Sequence, residues 1–420
     1  MTRTAAPIAT EIDEIVRSAV AEWQAQPADF PDLGPPFSPR EQRLKQRRAD
    51  QCVAAVESEL KSSKVNGPQH ALERITTEIV QFIPHALDLD SSQPGPSVEC
   101  LLNDGLAEVG MDLSRRARKL DPSVSMIDIL QAMRNAWVAC GLQAMFGKQV
   151  TLTPGIFAYS MLYPYSDNFL DDGAISREAK LNFSDRFQSR LEGLHLSSVS
   201  RLEGIVWDLV GMIEDEFPRN LYPGVWASVL AIHHAQTRSI DQMHREGLRS
   251  AGATDRAVAT LDLTVTKGGT SVLADAYLAA GHLTPFEAKV AFDWGVVLQL
   301  GDDLQDFESD RVRGSRTLFT GAAAFGALDG VTNKTFHFSR SVMREVAELP
   351  SCPAVMKSLI ERSARLFLVR SVAGAAPFFS KSYVRRLQEY SPFTFRFLKN
   401  RERRCYRRRA RYGTLLEAVL

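Results

Sequence analysis

Apolar residues recur at three- and four-residue spacing along most of this chain, and β-branched alternation between turn signals is scarce. That period places apolar side chains on one stripe of a helix, whereas strands need alternation, so the pattern predicts an all-α protein. Helices are predicted near 10–26, 39–63, 68–86, 97–119, 123–147, 153–172, 176–191, 198–216, 223–249, 254–281, 284–309, 316–347, 353–373, 379–390 and 393–415. Thr153-Pro154, Thr284-Pro285 and Arg313-Gly314-Ser315 read as turns or helix starts between long helices. Pro27, Pro31, Pro35, Pro36 and Pro39 mark one linker, and Ser91-Ser92-Gln93-Pro94-Gly95-Pro96 another. The expected organisation is an N-terminal helical extension over 1–95, one large helical bundle over 96–390 and a basic helix over 391–420.

Composition changes this picture little, because 45% hydrophobic and 24% charged residues are ordinary for a globular chain of 420 residues. Charge is more informative. The formal net charge is zero, yet Arg396 to Tyr412 holds nine Lys or Arg against Glu402 alone, a local +8 balanced by −8 elsewhere. A charge run is ordinarily a solvated face, and this one lacks regular aromatic interleaving, so no nucleic-acid partner is expected. Five scattered cysteines, Cys52, Cys100, Cys140, Cys352 and Cys405, indicate neither a disulfide framework nor a zinc site, which fits a reducing cytoplasm. No signal-peptide core and no apolar run long enough to span a bilayer are found.

Two acidic segments carry the candidate chemistry. Asp167, Asp171 and Asp172 form D-x-x-x-D-D at the end of an apolar helix holding Phe157, Tyr159 and Tyr163. Asp302, Asp303 and Asp306 form D-D-x-x-D after Phe292 and Trp294, with Asp310 eight residues beyond Asp302. Aspartates four apart on a helix share a face, roughly 5–6 Å apart at Cβ, and repel unless cations intervene. One such pair is usually a solvated face; two, each ending an unusually apolar helix, argue for a hard cation such as Mg²⁺, which prefers oxygen ligands and bridges carboxylates to phosphates.

Between them lies Thr266-Lys267-Gly268-Gly269-Thr270-Ser271. Lys267 and Thr270 share a helix face, the glycines permit close approach of a backbone or ligand, and Lys267 is a candidate phosphate contact. Arg311, directly after the second segment, is another. Tyr163, Phe157 and Trp294 are candidate linings for an apolar well, although each alone is more often plain core. Phosphate-binding glycine loops, H-E-x-x-H and paired E-x-x-H signatures are not found.

At these residues the chain resembles the class I isoprenoid and terpene synthase superfamily. Asp302 to Asp306, preceded by Gln299, is similar to the second aspartate-rich motif of trans-prenyl diphosphate synthases, and Asp167 to Asp172 resembles the first motif of squalene-type synthases. The resemblance spans roughly 150–315. It implies a helical bundle around three Mg²⁺, with Mn²⁺ the alternative ion, held by Asp167, Asp171 and Asp172 on one side and Asp302, Asp303, Asp306 and Asp310 on the other. It also implies that Lys267 and Thr270 grip the diphosphate, to which the position of Arg311 adds a further contact.

The departures matter as much. An early Gly-Gly-Lys-x-x-Arg segment is absent and one arginine, Arg177, follows the first motif where chain-elongating enzymes carry a pair. The expected activity is therefore ionisation of a prenyl diphosphate to an allylic cation by a terpene synthase or cyclase. The alternatives are a prenyl diphosphate synthase or squalene-type prenyltransferase, and a non-catalytic helical protein whose basic C-terminal helix binds anionic surfaces. A homodimer is compatible with either class.

Overall fold

A computed structural model of the chain describes residues 5–66, 68–89, 105–244 and 253–417, and these form helices with no strand among them. The seventeen α-helices are α1 (Ala5–Ala25), α2 (Pro39–Asn66), α3 (Pro68–Leu87), α4 (Ala107–Leu120), α5 (Met126–Met145), α6 (Pro154–Asp171), α7 (Arg177–Leu191), α8 (Arg201–Glu216), α9 (Pro223–His244), α10 (Ala253–Ala280), α11 (Pro285–Gln305), α12 (Phe307–Arg313), α13 (Leu318–Ala323), α14 (Asp329–Glu348), α15 (Ala354–Gly374), α16 (Lys381–Gln388) and α17 (Phe395–Glu417). The all-α expectation holds. No helix among the described residues is long and apolar enough to cross a membrane.

The predicted break signals do the work their chemistry implies. Thr153 caps α6, its hydroxyl accepting from the Ile156 amide, with Pro154 at the first helical position where a missing N–H costs nothing. Thr284 and Glu287 form a reciprocal capping box at α11. Gly314 ends α12 at φ 73°, a left-handed conformation that favours glycine. Two predicted helices are each divided: 284–309 at Asp306, and 316–347 between α13 and α14, where Gly326 sits at φ 155°. The linker at 91–96 and the predicted start of the 97–119 helix lie outside the described residues.

Two hydrophobic cores meet along α10. Leu261, Val265, Val272, Leu273 and Ala276 face a core shared with α11, α14 and α15, while Ala274 and Leu278 face a second core built from α4 to α9. The first core also contains Ile12, Val16, Ala19 and Trp23 of α1. So α1, predicted as part of a looser extension, packs as an integral wall of the body. An ion network reinforces it: Lys289 on α11 lies 3.3 Å from Glu22 on α1, 2.6 Å from Asp293 and 2.8 Å from Glu345 on α14.

α10 and α11 cross at glycines. A Cβ on Gly268 would stand 2.8 Å from the Gly295 carbonyl oxygen, and a Cβ on Gly295 would meet both Gly268 and, at 2.9 Å, Val272. Gly269 similarly admits the Phe292 ring, which is fully buried against it. Small residues let the two backbones approach closely, and that approach sets the site described next.

Candidate metal centre

The second acidic segment straddles the junction of α11 and α12. Asp302 and Asp303 occupy the last turn of α11, Asp306 caps it with its amide donating to the Asp302 carbonyl, and Asp310 follows one turn on in α12. Asp303 is 7% exposed; its carboxylate accepts from Gln299 Nε2 at 2.8 Å and from the Thr264 hydroxyl of α10 at 3.2 Å. Burial, above all, raises its pKa to about 7, and the adjoining Asp302 adds to the shift. Asp302 is raised by burial and then by Asp306, and Asp310 by burial with Asp306 adding to it. These carboxyls hold protons more tightly than usual because water is excluded and each sits in its neighbours' field.

Three cations oppose that field, and Arg313 is the strongest of them at Asp310. Lys267 of α10 lowers the pKa of both Asp302 and Asp310, which places the predicted phosphate contact beside the second acidic segment. Arg134 of α5 lowers that of Asp302 as well, a contribution the sequence reading missed. An exposed arginine inside an otherwise ordinary helix carries no local signal; only the packing of α5 against α10 brings it there.

The first acidic segment contacts α5 through Asn168. Asn168 of α6 donates to Asp128 at 3.0 Å and to Gln131 at 3.3 Å, and Gln131 lies one turn before Arg134. Asp167 is 5% exposed and accepts a hydrogen bond from Gln236 of α9, a second partner not foreseen. Asp172 is exposed past the helix end, where its carboxylate accepts from the Ala174 amide at 2.8 Å. The side chain of Asp171 lies outside the described residues. Among the described residues, the predicted ligands of the two segments do not converge on one point; the carboxylates that do are Glu22, Asp293 and Glu345. That group already holds the Lys289 ammonium, so it is an ion-pair network with its own cation.

Several predicted contacts are placed differently. Thr270 is fully buried and its hydroxyl donates to the Thr266 carbonyl of its own helix at 2.6 Å, so it faces packing instead of a ligand. Arg311 pairs with Glu308 at 2.9 Å, and Arg313 lies 3.6 Å from Asp310. Phe157 is buried in the second core and Trp294 is half-buried against the first, since each helix turns its largest apolar residues toward its packing partner. Neither lines the cavity beneath Asp167.

Tyr163 does line that cavity, together with Tyr159, Phe187, Ile232, His233 and Gln236. Its free volume is about 30 Å³, room for one or two waters and far below the roughly 300 Å³ at which ligand pockets begin. His233, 2% exposed, donates from Nε2 to the Ser184 carbonyl at 3.0 Å, leaving Nδ1 buried without a hydrogen-bond partner. Burial depresses its pKa to about 4, so the ring is neutral at pH 7. Nearby, Asp275 of α10 is buried with one oxygen accepting from Asn135 at 3.1 Å and the other unpartnered, and burial holds it well above the usual carboxylate range.

The donor set at α11–α12 is all oxygen, buried on one side and raised in proton affinity, which suits a hard divalent cation. No family model matches the chain, and neither curated proteins nor solved structures show a significant match to it.

Proposed function

We propose that the junction of α11 and α12 binds Mg²⁺ and the diphosphate of a prenyl diphosphate, and that the chain ionises this substrate as class I terpene synthases and cyclases do. The observation that carries the reading is the grouping of Asp302, Asp303 and Asp310, all raised in pKa by burial and mutual repulsion, with Lys267 and Arg134 in their field. Carboxylates in that condition take up a proton or a cation in preference to remaining bare, and a divalent cation displaces the proton.

Asp302, Asp306 and Asp310 would hold the metal here, with Asp303 fixed behind them by Gln299 and Thr264. Asp167 and its neighbours would approach from α6. Bound Mg²⁺ supplies charge neutralisation to the departing diphosphate. Lys267 acts as a point charge for phosphate oxygens, and Arg134 offers a planar fork to the same group. Tyr159, Tyr163 and Phe187 present aromatic walls next to Asp167, suited to a cationic carbon skeleton from which water is excluded. At its present size that cavity admits a tail only if α6, α7 and α9 part.

The test is incubation of the protein with C10, C15, C20 and longer prenyl diphosphates, with and without Mg²⁺ and isopentenyl diphosphate, while diphosphate and hydrocarbon are measured. Mg²⁺-dependent diphosphate release without isopentenyl diphosphate is the expected result. Product that forms only with isopentenyl diphosphate moves the assignment to a prenyl synthase. Failure of every substrate to release diphosphate discards it. Asp302→Ala and Asp167→Ala should each abolish turnover with helicity intact.

A further inference from the structure

α2 and α17 lie side by side and parallel. Thr394 pairs with Gln46, Arg401 with Asp50 and Arg408 with Glu57, so the contact partners advance together along both helices. Ala49, Phe393 and Phe397 pack at the base of this seam. At 3.6 residues per turn, Arg40, Arg43 and Arg47 stand roughly 90° to one side of the seam on α2. Arg404, Arg407, Arg396 and Arg403 stand roughly 60–160° from the seam in the opposite sense on α17, which for parallel helices is the same side of the pair. The opposite flank of α2 is covered by α3, where Lys45 donates to the His85 carbonyl and Cys52 to that of Glu78.

Seven arginines therefore share one open face, all exposed and none in an ion pair among the described residues. The acidic residues of the seam, Asp50 and Glu57, are already neutralised by Arg401 and Arg408. Leu44, 50% exposed, stands at the outer edge of the pair on α2.

We propose that this two-helix face docks the protein on an anionic phospholipid bilayer. Its charge complements a lipid surface, and a broad face of two parallel helices matches a plane better than a groove. Long arginine side chains reach phosphate oxygens while their stems and the bordering Leu44 rest at the headgroup level. Single-stranded nucleic acid would require a row of exposed stacking aromatics, whereas of those beside the seven arginines Phe395 is buried, Phe397 packs into the seam and Tyr406 alone is exposed among the described residues. The proposal stands apart from any catalytic role, since it uses no residue of the acidic site.

Sedimentation of the full-length protein with phosphatidylcholine vesicles, with and without phosphatidylserine, tests it. Binding should require phosphatidylserine and weaken as salt rises. Two triple variants divide the face: Arg40→Gln with Arg43→Gln and Arg47→Gln on α2, and Arg403→Gln with Arg404→Gln and Arg407→Gln on α17. Each should lose roughly a hundredfold in affinity, from about fivefold per charge. Unchanged circular dichroism and melting confirm that the variants are folded. Loss in the α17 variant alone, binding indifferent to phosphatidylserine, or capture of duplex DNA in preference to the vesicles would each overturn the proposal.

Discussion

Gly268 of α10 and Gly295 of α11 face one another across the closest helix crossing at the site, each where the other's carbonyl oxygen leaves no room for a Cβ. The crossing is what carries Lys267 alongside Asp302. Gly295→Ala should destabilise the fold by about 1–3 kcal/mol, because backbone has to move to admit the methyl group. Gly141→Ala is the contrast: a Cβ there meets nothing within 4 Å, so the same change should stabilise α5 by about 0.5–1 kcal/mol. Urea unfolding of both variants reads the difference; a tolerated alanine at 295 would refute the close crossing.

On the proposed reading, Lys267 and Thr270 separate in role although they share a helix face. Lys267→Gln should lower kcat/KM for a prenyl diphosphate by roughly 10- to 100-fold, the loss of one charged contact. Thr270→Ala should leave it near the parental value, since that hydroxyl serves the Thr266 carbonyl. Steady-state kinetics on the two variants distinguishes this arrangement from one in which both residues hold phosphate.

His233 makes stability depend on pH with a definite sign. Unfolded, the ring takes up a proton as pH drops through 6.5, whereas in the fold it does so only near 4. The unfolded state therefore binds more protons across that window, and stability, full above about 6.5, declines toward pH 4 by about 3 kcal/mol from this group. In His233→Gln the unfolding free energy should fall less steeply over the same window. Parallel slopes for the two proteins would show that His233 is not the group responsible.

Lys289 is the cation of a network that joins α1, α11 and α14. Lys289→Ala leaves Glu22, Asp293 and Glu345 facing one another and should destabilise by about 3–5 kcal/mol. Adding Asp293→Asn should recover part of that loss, because Asp293 is the most deeply buried of the three. A double variant no more stable than Lys289→Ala would assign the loss to packing alone.

Local patterns were sufficient for the helices and their caps. The apolar spacing of Ile156 to Tyr163 predicted α6, and the threonine–proline pairs at Thr153 and Thr284 predicted where α6 and α11 begin, because capping is settled by residues three or four apart. The glycines beside Lys267 were legible as points of close approach, but not what approaches: it is α11. The role of α1 was hidden, since an amphipathic helix looks the same whether its apolar face meets a neighbour or a distant wall of the core.

The amino-acid sequence by itself determined that this protein is helical and that two aspartate-rich segments stand at the ends of apolar helices. Only the tertiary structure decided which cations stand beside the second segment, that Asp167 is held by Gln236, and that Arg40, Arg43 and Arg47 join the arginines of α17 on one face. The division has a physical cause. Helix periodicity and capping act within a turn or two of chain, whereas electrostatic fields and packing act through space, between residues whose separation in sequence carries no trace of their contact.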